Sequence, residues 1–258
     1  MNFIEKMIAI KKEEIANINE KEIFEKLDVI SLTKSVKKEF LPDAFNIIAE
    51  IKRSSPSKGH LAEIADPLAL AYQYAQGGVQ AISVLTEEKY FNGSLTDLKQ
   101  VSERLRNTNI SVLRKDFIID ELQIYQAAAF GADAVLLITS MVKGELAHLI
   151  KVALEVGLQP FVETHSIDEI KIAEDAGATV LGINNRNLHT LEVDPEHCLR
   201  MIDHVSSDKG IKIVAESAIH SVDQVKEVRK SGFNAALIGE LLVKSDDPKS
   251  LIQTMLQG

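Results

Sequence analysis

Apolar side chains recur along this chain with two periods. Up to about residue 45, Ile4, Met7, Ile8, Ile15 and Ile18 fall near helical spacing with Lys and Glu between them, which predicts a charged helical extension. From Asn46 onward, short β-branched runs alternate with helix-length segments. The runs are Asn46–Ile51, Gln80–Leu85, Ile110–Leu113, Ala132–Leu137, Gln159–Val162, Thr179–Ile183, Ile211–Ala215 and Asn234–Ile238. Near-continuous apolar strands of this kind imply a parallel sheet covered by helices, and eight such units in about 210 residues fit a closed barrel. A doubly wound open sheet is the rival. An internal echo weighs against it: GGVQAISV, GADAVLL, GATVLGI and GFNAALI each place a Gly (Gly78, Gly131, Gly177, Gly232) ahead of a small residue and a strand. The spacing is two βα units each time and marks the second, fourth, sixth and eighth strands. No Pro/Gly/Ser linker interrupts the later part. The expected architecture is therefore α/β, a single (β/α)₈ barrel over residues 46–258 with an N-terminal helical extension over 1–45.

In such a barrel, side chains fill the interior and chemistry gathers at the strand C-termini. The first strand ends IIAEIKRSSPSKG, with Glu50 and Lys52 two apart and so on one strand face. The third ends at Lys115, the fifth at Glu163 and the seventh at Glu216. All four are odd-numbered strands, which share layers of a barrel interior. Charges inside an apolar strand pattern are costly unless paired, so a mutually neutralising Glu/Lys cluster is the physically sensible form. The even strands bring other groups: GINNRNL offers Asn184 and Arg186, and LIGEL offers Gly239. Loops after the seventh and eighth strands commonly bind phosphate through backbone N–H groups, which makes Glu216–Ala218 and Gly239–Glu240 the expected cradle. Phe91, Phe117, Leu136 and Leu188 add an apolar half to this mouth.

Composition narrows the chemistry further. The formal charge of −9, without a dense Lys/Arg run, argues against nucleic acid or an anionic membrane as partner, so any positive field must be built locally. No apolar run reaches the roughly 20 residues of a bilayer span, and the charged N-terminus does not read as a signal peptide; a soluble, cytoplasmic protein is expected. The lone Cys198 excludes an internal disulfide and reads as a buried, inert thiol. The seven histidines show no metal-ligand spacing, and His165 reads as a loop residue. With no dinucleotide fingerprint or P-loop either, neither a metal nor an organic cofactor is expected.

Seven stretches in order, IIAEIKRSSPSKG, SVLTEEKYFNGS, VLRKDFIID, the Glu163 strand end, GINNRNL, VAES and LIGE, resemble the indole-3-glycerol-phosphate synthase family. The resemblance implies ring closure, decarboxylation and dehydration of 1-(2-carboxyphenylamino)-1-deoxyribulose 5-phosphate, an anionic small-molecule substrate. It implies Lys115 as general acid at the ketone, Lys52 holding anionic groups during decarboxylation, and Glu163 with Lys52 at the dehydration. Glu50 would orient the lysines, while Ser55, Asn184 and Arg186 would position carboxylate and hydroxyls. Glu216 and Ser217 would line the far wall, and the four apolar mouth residues would clamp the aromatic ring. The extension would pack near the mouth. One position departs: the family usually reads Glu-Ser-Gly-Ile after the seventh strand, where this chain has Ala218. Two other readings stand beside this one, a sugar-phosphate isomerase barrel and a non-catalytic sugar-phosphate-binding barrel.

Overall fold

Alternation along the strands decides what fills the interior. The computed structural model describes residues 2–33 and 40–257; residues 1 and 34–39 of the expected helical extension and residue 258 of the expected barrel lie outside the described residues. Eight parallel strands close on themselves: β1 (Asn46–Ile51), β2 (Ala81–Leu85), β3 (Ser111–Lys115), β4 (Ala134–Ile138), β5 (Gln159–Thr164), β6 (Val180–Asn184), β7 (Lys212–Glu216) and β8 (Ala235–Ile238). Strand β8 returns to β1 in the register Asn46↔Ala235 to Ala49↔Ile238, so the sheet is a barrel and not a doubly wound sheet. In β1, Ile47, Ala49 and Ile51 join the core beneath the surrounding helices, whereas Ile48 joins the lumen. Leu113, Phe161 and Val214 are its lumen counterparts on β3, β5 and β7. Two residues further along each of these strands stand Glu50, Lys115, Glu163 and Glu216. The side-chain period of two therefore stacks a charged layer directly on an apolar one.

Four strands run further than their apolar residues predict. β3 continues from Leu113 to Lys115, β5 from Val162 to Thr164, β6 from Ile183 to Asn184 and β7 from Ala215 to Glu216. The backbone ladder is indifferent to side-chain polarity as long as the inward charges neutralise one another. The echoing glycines have φ of 98°, 83°, 88° and 94°, the left-handed exit from a helix into the next strand, where a Cβ costs roughly 1 kcal/mol.

Helix α1 (Phe3–Ala16) opens with a capping box in which Asn2 Oδ1 accepts from the Glu5 amide and Glu5 accepts from the Asn2 amide. Its buried stripe is Ile4, Met7 and Lys11. Lys11 is 1% exposed, with its ammonium 2.8 Å from Asp116 and 2.7 Å from Glu14. Asp116 also accepts from Arg114 and Thr86, so α1 is tied to the end of β3 by a buried polar network. Helix α2 (Glu20–Thr33) lies on the helix Glu121–Ala129, with Phe24 against Tyr125. The segment entering β1 closes the opposite end: Phe40 and Leu41 are buried with the lumen residues, and Phe40 packs 6.0 Å from Phe161. No helix among the described residues is long and apolar enough to cross a membrane.

Candidate active site

A cavity of about 990 Å³, counting the space open to solvent, occupies the C-terminal mouth of the barrel. Every residue expected at the site lines it: Glu50, Lys52, Ser55, Phe91, Lys115, Phe117, Leu136, Glu163, Asn184, Arg186, Leu188, Glu216, Ser217, Ala218, Gly239 and Glu240.

Its floor is the charged layer. The Lys115 ammonium donates to Glu163 at 2.9 Å and to Glu216 at 2.5 Å, while Lys52 sits 2.5 Å from Glu50. Glu50 thus touches only one of the two lysines it was expected to orient; it reaches Lys115 through its field. Burial opposes the charged form of Lys115, but Glu163, Glu216 and Glu50 outweigh it and hold its pKa above the ordinary lysine value. The two carboxylates around Lys115 are not equivalent. Burial raises the pKa of Glu163, yet Lys115, His165 and the Asn184 amide, which donates to Oε1 at 2.8 Å, drive it well below the usual range. For Glu216, burial together with the charges of Glu163 and Glu50 exceeds the pull of Lys115 and pushes the pKa up to about 7. Glu216 Oε1 has no hydrogen-bond partner among the described residues. It occupies the space left open by Gly182, where a Cβ would collide with it and come within 2.9 Å of the Phe161 ring.

The rim is held by loop contacts. Asn184 accepts the Arg186 amide, and Arg186 Nη1 donates to Ser57 at 2.9 Å and to the Leu191 carbonyl at 3.1 Å. Lys58 pairs with Glu240 at 2.9 Å, so the loop after β1, which carries a short ladder of Ser54–Ser55 with Gly59–His60, is fastened to the loops after β6 and β8. Glu240, drawn down to about 2 by Lys244 and Lys58 against the effect of burial, is neutralised by these lysines. Gly239 allows a close approach, but to the ion pair: a Cβ there would lie 2.5 Å from Glu50 Oε1 and 3.1 Å from Lys52 Nζ. Ser217 and Ala218 both adopt left-handed φ, 65° and 59°. Asn185, 3% exposed, holds this turn: its amide donates to the Ser217 carbonyl at 3.0 Å and its own N–H to Glu216 O at 2.9 Å. The apolar wall joins Phe91 and Phe117, 6.0 Å apart, with Phe3 of α1 edge-on to Phe117 at 5.8 Å.

Phe3 and Asn185 escaped the sequence reading, and so did the contact of His165 with Glu163. Phe3 stands one turn before Met7 on the buried side of α1, a spacing that carries the signal. Asn185 left none, because an Asn among three in NNRN is indistinguishable by type. His165 is in a loop as expected, and no metal-holding cluster was found among the described residues. Its Nε2, however, lies 3.2 Å from Glu163 Oε1.

The family described as indole-3-glycerol phosphate synthase matches residues 4–255. The indole-3-glycerol phosphate synthase of Carboxydothermus hydrogenoformans is 39% identical over 98% of this chain and 99% of its own. Indole-3-glycerol phosphate synthase 1 of Streptomyces coelicolor is 46% identical, covering 83% of this chain and 78% of its own. Among solved structures, 3-hexulose-6-phosphate synthase from Salmonella typhimurium superimposes with a TM-score of 0.66 at 15% identity, over 82% of this chain and 97% of that one, a likeness of fold alone. Matched from its first helix to its last, the chain belongs to the indole-3-glycerol phosphate synthase family.

Proposed function

We propose that this protein converts 1-(2-carboxyphenylamino)-1-deoxyribulose 5-phosphate to indole-3-glycerol phosphate, carbon dioxide and water, with Lys115 as general acid. The observation that carries the assignment of roles is the Lys115 ammonium held between two carboxylates of unlike proton affinity at the floor of a half-aromatic cavity. Ring closure forms a bond between the carboxylate-bearing aromatic carbon and the ketone carbon, and charge develops on the ketone oxygen. Lys115, kept in its charged form by the surrounding carboxylates, delivers a proton to that oxygen. Glu216, whose pKa lies near neutrality, is placed to restore it.

Loss of carbon dioxide then returns the ring to aromaticity, with Lys52 balancing the departing carboxylate. In the dehydration, Glu163 is the charged base and Lys52 assists the leaving hydroxyl. Phe91, Phe117, Leu136 and Leu188 clamp the aromatic ring, Ser55, Asn184 and Arg186 take carboxylate and hydroxyls, and backbone N–H groups of Ser217–Ala218 and Gly239–Glu240 face the phosphate. Acids and bases in this scheme are all side chains, and a cytoplasmic setting belongs to the same reading. Incubation with the anilino ribulose phosphate tests it: indole fluorescence appears if the assignment holds, and its absence with folded protein sinks the assignment. An isomerase or a binding-only barrel predicts no indole.

A further inference from the structure

The unlike behaviour of Glu163 and Glu216 has a source outside the cavity floor. Lys115 lies between them, and Glu50 acts on the group from β1. What differs is the far side of each carboxylate. Glu216 Oε1 faces Gly182 and the Phe161 ring with no donor, whereas Glu163 Oε1 accepts from the Asn184 amide and has His165 Nε2 at ion-pair distance, 3.2 Å away.

His165 follows β5, so its ring reaches back to the carboxylate two residues earlier. Its side chain is 13% exposed, and its Nε2 has no well-aligned hydrogen-bond acceptor among the described residues, only the Glu163 contact. On the other edge Nδ1 lies 3.2 Å from Glu169 Oε2, and that same oxygen accepts the His165 backbone amide at 2.8 Å. Glu169 sits on the helix Ile167–Asp175, started by the Ser166 cap. His197 closes the set from the helix His197–Met201, with Nε2 3.1 Å from the His165 carbonyl. Glu192 and Asp194 on the loop after β6 line the same pocket as His165 and His197, and two carboxylates, Glu163 and Glu169, flank the ring itself.

We propose that His165, braced by Glu169, is a positioning residue that fixes Glu163 as the charged member of the carboxylate pair around Lys115 and leaves the proton to Glu216. An imidazolium between Glu163 and Glu169 favours ionised carboxylates on both sides. Burial opposes the ring's charge, but the contacts to Glu163 and Glu169 outweigh it and push its pKa up to about 9, so the ring is charged across the neutral range. The roles of base and proton reserve then follow from which carboxylate has the histidine. This inference rests on the proposed reaction for its catalytic consequence but not for its electrostatic one.

The test separates the two. Carboxyl-¹³C glutamate spectra, assigned with E163Q and E216Q, identify which carboxylate titrates around pH 7 in the unliganded protein. In the parent this is Glu216; in H165Q the Glu163 titration moves up by roughly one pH unit or more. E169Q, which alters only the outer brace, shifts it the same way by less. In turnover of the anilino ribulose phosphate, H165Q moves the acid limb of kcat/KM upward while KM changes little, a readout that loss of packing alone leaves in place. Unmoved carboxylate titrations in both H165Q and E169Q overturn the proposal. A parent that makes no indole overturns the assigned reaction, and the carboxylate titrations still decide the role of His165.

Discussion

Ala218 shows how a single Cβ is accommodated. The resemblance led to glycine being expected there, and the alanine adopts φ 59° beside Ser217 at 65°, held by Asn185. Because the left-handed turn is already formed in the unliganded protein, its strain of roughly 1–2 kcal/mol is borne by folding and not by binding. Ala218→Gly relieves that strain but adds roughly 0.4–1 kcal/mol of unfolded-chain entropy. The melting temperature should stay level or rise by up to about 2–4 °C, with product affinity unchanged. A clear gain in affinity on titrating indole-3-glycerol phosphate would mean that the turn rearranges on binding. Lys115→Ala makes the opposite kind of change. It removes the proposed general acid, so kcat should fall by ~10²–10⁴ with a smaller effect on affinity. It also strips the cation from two buried carboxylates, a loss of about 3–5 kcal/mol at neutral pH that shrinks on acidification as they protonate. A loss carried mainly in substrate affinity would make Lys115 a binding residue.

Among the elements, the segment before β1 does two jobs. Helix α1 caps the mouth through Phe3 and the Lys11–Asp116 pair, and Phe40 plugs the far end against Phe161. Deleting residues 2–33 should leave a cooperatively unfolding barrel with raised KM. Extending the deletion through Phe40 should cost a further ~3–5 kcal/mol, the range of a large aromatic lost from a core. Equal urea midpoints for the two truncations would show that the plug is dispensable. The sequence made most of this architecture legible, because eight apolar runs and four echoing glycines carry the barrel with little interference. The apolar runs alone stop short of the strand ends: Lys115, Glu163, Asn184 and Glu216 break the pattern by polarity, yet they continue the ladder because they compensate one another. Residue types at the site could be read since charges in an apolar pattern stand out. Who touches whom was legible only for Glu50 and Lys52, two apart on one strand; the Lys115–Glu163–Glu216 grouping, the role of Gly239 against Glu50, and the approach of His165 emerged only from the fold.

For the molecule as a whole, these buried groups set an unusual dependence of stability on pH. A raised folded-state pKa means that the native form holds extra protons, so stability falls as pH rises through the shifted interval. Glu216, raised to about 7 chiefly by burial, acts between the ordinary carboxylate range and neutrality. His165, raised to about 9 by its carboxylates against the opposing effect of burial, is fully stabilising below its ordinary value and loses that contribution as pH climbs through 9. Glu163 and Asp116 are depressed, and their contribution is present above the ordinary carboxylate pKa and lost in acid. Burial lowers the pKa of the partly buried His197 and His220, which works the other way below the ordinary histidine value, so the fall carried by Glu216 and His165 should stand out from neutrality into the alkaline range. Urea midpoints check this, with a smaller fall in H165Q; a midpoint that rises from pH 7 to 9 contradicts it. The fastening of the loop after β1 has a different kind of consequence. Arg186 Nη1 spends both of its hydrogens on Ser57 and the Leu191 carbonyl. An anion that takes this nitrogen does so in exchange for the serine, and the returning serine competes with the product for it. Under the proposed reaction, an anion taken by Nη1 and one taken by the other guanidinium nitrogens then differ in kind: the first trades places with the loop, and the second leaves it fastened.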